Sequence, residues 1–311
     1  MRKIVGIGET ILDIVFRNNQ PTKAVPGGSV FNCLVSLSRT GVPVEFVSEI
    51  GQDHTGSLIL QFMSDEHICT DYIRVYEGRR TAVSLAYLNE RNDADYVFYK
   101  DYPQERNLLN LPTLRKDDIL IIGSFYAIDP LLREAVNSLI QRAKEAQAII
   151  YYDPNFRPSH KESLDMLMPM LEENFDCATV VRASKEDFQY IFGMSRAEEV
   201  YAKKMKSHCV NMICTAGGDS LTLCTPAGTK TYEIPQVTPV STIGAGDNFN
   251  AGFLYGLMAG NIGFDDLANL EESRWDEAIG NGLKFSAEVC CSYDNYISTE
   301  FARTIRAHST L

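Results

Sequence analysis

Short apolar runs and longer amphipathic segments take turns along most of this chain, and that alternation restricts its fold more than any other feature. "RKIVGIG", "VEFVSEIG", "DILIIGSF", "AIIYYDP", "CATVVRAS" and "VNMICTA" read as strands. "SVFNCLVSLSRTG", closed by Gly41, "TGSLILQFMSDEH" and "DPLLREAVNSLIQRAKEA" carry helical spacing. Strands that are apolar on both faces need cover on both, and the intervening helices supply it. The pattern therefore predicts an α/β fold: a mostly parallel central sheet flanked by helices on both faces. Ligands then gather at the carboxyl ends of the strands. With 311 residues, 45% of them hydrophobic, a sizeable core can be buried. No linker or repeat divides the chain, so one domain over 1–311 is expected, with any second unit inserted into it.

One segment departs from the alternation. "TAVSLAYLNERNDADYVFYKDY" holds two strand-like runs joined by "RNDAD", with no helix between them. Thr81, Val83, Leu85 and Tyr87 share one face, and Ala82, Ser84 and Ala86 make the other face small. A hairpin with one open side serves as an edge of the main sheet or as a separate flap.

A second segment carries chemistry. In "TIGAGDNFNAGF", a strand-like "VTPVS" (Val237 to Ser241) leads to the turn Gly244-Ala245-Gly246 and then to a helical run. Small residues let backbone approach a ligand closely, and a helix N-terminus directs unpaired N–H groups outward, so the segment is an anion site in waiting. Asp247 stands beside it, either as a base that takes a proton from an attacking hydroxyl or as a helix-start acid favoured by the dipole. "GIGETI" begins like a dinucleotide fingerprint but has Ile11 in place of the third glycine, and GxxxxGK[ST] is absent.

Charge and cysteine usage exclude other classes. A net charge of −12 leaves no basic patch for nucleic acid or anionic membrane, so an anionic ligand must be held by a local site. No charged-then-apolar leader and no apolar stretch of spanning length is present, which gives a cytoplasmic expectation. The eight cysteines sit mostly in apolar runs without CxxC spacing and read as reduced, buried thiols. The five histidines, His54, His67, His160, His208 and His308, match no metal spacing.

"STIGAGDNFNAGFLYGL" resembles the C-terminal signature of the PfkB (ribokinase-like) carbohydrate kinases, and "PGGSVFNCLVSLSRTG" resembles their N-terminal one. "DPNFRP" and "CTAGGDS" are similar to family segments that lie between, so the likeness spans nearly the whole chain. The resemblance implies a ribokinase-like fold and transfer of phosphate from ATP to a primary hydroxyl of a small sugar. Fructose leads, because Thr81 to Lys100 is similar to the "TA…YVFY" form of fructokinase-like members.

By the same resemblance Asp247 is the base, and the Gly244, Ala245 and Gly246 amides stabilise the transferred phosphoryl group. Asp13, Gly27, Gly28 and Asn32 line the sugar pocket, and a small β-lid from inserted segments, including about 72–102, closes over it. Thr215, Gly217, Thr242 and Asn281 fall on the nucleotide side. The family's Asn-x-x-Glu motif, which organises Mg²⁺ through water, appears as Ser184-Lys185-Glu186-Asp187, so Glu186 or Asp187 is its acid. Ser241 stands where the family usually has the Asp of a potassium loop, and a neutral hydroxyl holds a monovalent cation such as K⁺ less strongly. Lid strands that pair between subunits imply a homodimer. Tyr99, Lys100 and Arg157 would meet a carboxylate if the substrate were 2-keto-3-deoxygluconate. Ribokinase or nucleoside kinase activity, and a sugar-binding sensor of the same fold without turnover, are the further alternatives.

Overall fold

The computed structural model describes residues 2–88, 94–108 and 110–307. Its strands are β1 (Ile4–Ile7), β2 (Ile11–Arg17), β3 (Gln20–Gly27), β4 (Val44–Gly51), β5 (Ile73–Tyr76), β6 (Val83–Leu88) and β7 (Ala94–Tyr99), then β8 (Ile119–Gly123), β9 (Ile149–Asp153), β10 (Val180–Ser184), β11 (Met212–Ala216), β12 (Ser220–Thr225) and β13 (Gly228–Glu233). The helices are α1 (Ser29–Arg39), α2 (His54–Asp65), α3 (Arg133–Glu145), α4 (Leu164–Cys177), α5 (Lys185–Phe192), α6 (Ala197–Lys203), α7 (Ala245–Ala259), α8 (Glu272–Cys290) and α9 (Thr299–Ala307).

The main sheet runs β13-β12-β11-β10-β9-β8-β1-β4-β5. From β11 to β5 every pairing is parallel, and β12 and β13 add an antiparallel edge. Alternate side chains of its strands feed two cores. Ile4, Ile121, Tyr151 and Val180 pack toward α1, α2, α7 and α8, while Val5, Ile122, Tyr152 and Val181 pack toward α3, α4, α5 and α6. Burial on both faces is why β1, β8 and β9 read as uninterrupted apolar runs.

A second sheet has the order β3-β2-β6-β7. The expected hairpin is there as β6 and β7, antiparallel, and Arg91 to Asp93 of its turn lie outside the described residues. Its partners were not expected: β6 pairs in parallel with β2, which pairs antiparallel with β3. Conversely Ile73–Tyr76, inside the expected range of about 72–102, pairs with β4 and belongs to the main sheet. Val237 to Ser241 is not a strand. Pro239 cannot donate to a ladder, and the N–H of Val240 bonds instead to the Cys290 carbonyl at the end of α8, at 2.7 Å.

Candidate active site

The carboxyl ends of the main-sheet strands, the N-terminus of α7 and one face of the small sheet converge. Gly244 caps α7 in the left-handed region, φ 77°, where glycine is at home. A Cβ there would sit 2.8 Å from the Asn295 carbonyl oxygen. Ala245 N bonds to the Thr242 carbonyl at 3.3 Å, and helix geometry leaves the N–H groups of Gly246 and Asp247 without intrahelical partners.

Asp247, in the first turn of α7, receives a 2.8 Å hydrogen bond on Oδ2 from Asn32 Nδ2. Burial pushes its carboxyl up to about 6; donation from Asn32 and Ser29 and the charge of Arg157 oppose the rise, and Asp153 adds to it. Asn32 is buried on α1, whose N-cap Gly28 has φ 134° with the Glu9 carbonyl in the space a side chain would need. The helix that presents Asn32 can therefore begin only with glycine at this point.

Asp13 follows the first strand and lies within β2. It is buried, accepts from Ser84 Oγ of β6 and, at 3.4 Å, from Asn295 Nδ2, and lies over Gly27 so closely that a Cβ there would overlap its carboxylate. Burial first, and then the charges of Asp247 and Glu9, push its carboxyl up to about 6 against the Ser84 and Asn295 hydrogen bonds. Two carboxyls with raised affinity for a proton thus share one cleft.

The small sheet corrects one expected residue. Strand parity puts Ser84 and Ala86 opposite Phe98 and Tyr96, all on the face that carries Asp13. Tyr99 therefore points the other way and is 59% exposed. Tyr96 is the aromatic of the cleft; its hydroxyl is pushed up to about 12 by burial and then by Asp13, with Arg157 opposing and Asp247 adding. Phe98 stacks on it at 5.8 Å. Lys100 is engaged by both carboxylate oxygens of Glu9, at 2.7 and 2.8 Å, and Tyr102 donates to the same group.

On the other side of α7, Thr215 Oγ1 accepts from Arg182 at 2.8 Å, Gly217 occupies an exposed turn with φ 56°, and Thr242 is exposed. Asn281 donates to the Glu277 carbonyl within its own helix. Asp187 closes a capping box on α5: its Oδ2 accepts from Ser184 N and Oγ, each at 2.7 Å, and its Oδ1 from Phe156 N at 2.6 Å. With that carboxylate tied into the chain, Glu186 is the exposed acid of the pair. Ser241 is buried and its Oγ accepts from Ile243 N. A surface groove of about 440 Å³ lies at the opposite, amino end of the strands, lined in part by Lys3, Glu45, His67 and Asp71, and holds none of these residues.

Residues 1–296 match the pfkB family carbohydrate kinases. The chain belongs to this family. It is a phosphotransferase with an alcohol group as acceptor. A probable fructokinase-4 of Arabidopsis thaliana is 26% identical over 285 residues, covering 86% of each chain. Fructokinase-1 of Oryza sativa subsp. japonica is 25% identical over 298 residues, covering 87% of each. Among solved structures, the Vibrio cholerae O395 fructokinase in its fructose-, ADP- and calcium-bound form superposes with a TM-score of 0.84 at 21% identity, covering 97% of this chain and 98% of its own. The Salmonella enterica aminoimidazole riboside kinase, complexed with aminoimidazole riboside and an ATP analog, gives 0.83 at 22% identity, covering 98% and 100%. The fold of this carbohydrate kinase is accordingly ribokinase-like. Among the described residues no helix is long and apolar enough to cross a membrane.

Sequence reasoning missed Tyr96, Phe98, Asn295 and Arg182. The alternation in "ADYVFYK" carried the first two, because residues two apart share a face and Ser84 marks which face is inward. Nothing local to Asn295 or Arg182 marks them.

Proposed function

We propose that this kinase transfers the γ-phosphoryl group of ATP to a primary hydroxyl of a small neutral sugar, with fructose the leading substrate. The observation that carries the reading is the pair Asp247 and Asp13. One carboxyl is held by Asn32 at the N-terminus of α7, and the other is buried on the inner face of the small sheet. Asn32 holds Oδ2 of Asp247 and so fixes the carboxylate in place for the acceptor hydroxyl. As the sugar oxygen bonds to the γ-phosphorus, its proton passes to Asp247 and the bond from that phosphorus to the β,γ-bridging oxygen breaks, releasing ADP. The N–H groups of the Gly244-Ala245-Gly246 turn take up the charge on the transferred group. Asp13 accepts from sugar hydroxyls, with Gly27 and Gly28 keeping the floor open.

Thr215, Gly217, Thr242 and Asn281 form the nucleotide side in this reading. Mg²⁺ fits as an ion held mostly by phosphate oxygens and water with help from Glu186, since among the described residues no three His, Cys, Asp or Glu side chains make a cage of their own. When bound, it supplies charge neutralisation on the phosphates. Ser241 offers only a neutral hydroxyl, so activation by K⁺ is not part of the proposal.

Preference for a neutral sugar follows from charge. Lys100 is already paired with Glu9, and Glu9, Asp13 and Asp247 would repel an acidic substrate, with Arg157 as a cation whose charge acts on Asp247. That arrangement disfavours 2-keto-3-deoxygluconate. The small sheet acts as a lid whose closure excludes water from the transfer. Its outer face, with Ile14, Val83, Leu85, Val97 and Tyr99, is apolar, and Val97 is 43% exposed; two copies pair through it in this reading. Eight free cysteines agree with a reducing, cytoplasmic setting. A coupled assay of ADP release tests the activity: sugar-dependent release supports a kinase, and sugar binding without release supports a sensor.

A further inference from the structure

Arg182 is a buried charged side chain for which the reaction as described has no task. It sits on β10, is 9% exposed, and reaches three other elements at once. Nη1 donates to Asp153 Oδ2 of β9 and Nη2 to Thr215 Oγ1 of β11, each at 2.8 Å. A Cβ on Gly246 would lie 3.0 Å from both of these nitrogens, so the Nη1–Nη2 edge of the guanidinium faces the turn at the start of α7. Its buried Nε has no partner among the described residues.

A structural ion pair alone does not account for this placement. The N-terminus of α7 carries roughly half a positive charge, and a guanidinium pressed against it is repelled. Asp153 also accepts from Asn250 Nδ2, at 2.7 Å, and from Asn155 N, at 3.1 Å, so its charge is divided among three donors. The buried Asp187 carboxylate also acts on Arg182, but it is tied into the capping box of α5; the guanidinium and the helix N-terminus become favourable together when an anion binds at the turn. Arginine also fixes two acceptors at a set angle, which an ammonium cannot do.

We propose that Arg182 is a positioning residue for phosphoryl transfer. It holds the Gly246 turn and the Thr215 hydroxyl in one frame and places a permanent positive charge behind the turn, where negative charge accumulates on the phosphates. The inference rests on the kinase reading above and names a residue that reading did not need.

The test uses the full chain with Arg182→Met, Arg182→Lys and the double variant Arg182→Met/Asp153→Asn, followed by melting temperature, ATP affinity by calorimetry, and steady-state constants with fructose. Arg182→Met leaves Asp153 buried without its cation and loses stability; the double variant removes both charges and recovers the melting temperature. The proposal expects the double variant, though folded, to keep kcat at least thirtyfold below wild type and to bind ATP about tenfold more weakly, with the fructose KM within threefold. Arg182→Lys, which keeps charge but not the two-pronged bridge, recovers part of kcat. A double variant whose kcat returns to within threefold of wild type makes Arg182 a structural partner only and overturns the proposal. If wild type releases no ADP with any sugar, the kinase reading fails by itself. ATP affinity then decides on Arg182 separately: unchanged affinity in the double variant overturns it and tenfold weaker affinity supports it.

Discussion

Replacing Asp247 with Asn should slow this enzyme and steady its fold at the same time. Burial lifts the carboxyl from 3.8 to about 6, so the folded protein binds that proton more tightly than the unfolded chain does. The stability belonging to the protonated form is complete below about 3.8 and is lost as pH rises through about 6. At about 1.4 kcal/mol per pKa unit, keeping the ionised group at pH 8 costs at most about 3 kcal/mol. An amide of the same shape avoids that cost and still accepts from Asn32. The variant should therefore melt a few degrees higher than wild type at pH 8, with the gap closing toward pH 4. Its kcat should fall by roughly 10² to 10⁴, the usual worth of a general base, while ATP affinity holds or improves slightly. Scanning calorimetry at both pH values and a coupled ADP assay read the two effects. Near-normal turnover would remove Asp247 from its role, and a lower melting temperature at pH 8 would refute the argument from burial.

In wild type, kcat/KM for the sugar should fall on the acid side with a midpoint near 6, and because Asp13 also titrates at about 6 the limb belongs to the pair; a flat profile from pH 5 to 8 contradicts this. Asp13→Ala should raise the sugar KM at least tenfold and leave the ATP KM within threefold, since sugar hydroxyls lose a buried acceptor; an equal rise in both constants would place the pocket elsewhere. Tyr96→Ala should raise the sugar KM about tenfold and Tyr99→Ala should not change it, and the reverse result would break the strand parity assigned to β7. Arg157→Ala should lower kcat more than it raises the sugar KM, as expected for a cation that faces Asp247 from the rim; the opposite split would favour an acidic substrate.

The central sheet was legible because its strands are buried on both faces and so carry unbroken apolar runs such as "ILIIG" and "IIYYD". The α7 turn was legible because its start takes φ 77° against the Asn295 carbonyl, a position that calls for glycine. The small sheet was only half visible. "ILDIVFR" and "QPTKAVPG" mix polar residues into half-buried strands, and the pairing of β2 with β6 joins segments about seventy residues apart, which no local pattern records. Proline at 239 should have argued against a strand there. Asp187 followed from its place at a helix start, yet sequence could not tell a capping acid from a ligand acid. Tyr99 was misplaced by one residue, and in a strand one residue is the difference between cleft and solvent.

The claim that this is a kinase for a neutral sugar is tested most directly by kcat/KM for fructose and for 2-keto-3-deoxygluconate, measured side by side on wild type at pH 7.5 with saturating ATP and Mg²⁺. With Lys100 held by Glu9 and three carboxylates around the cleft, fructose should be turned over with the higher kcat/KM. A hundredfold advantage for the keto-acid would contradict the account.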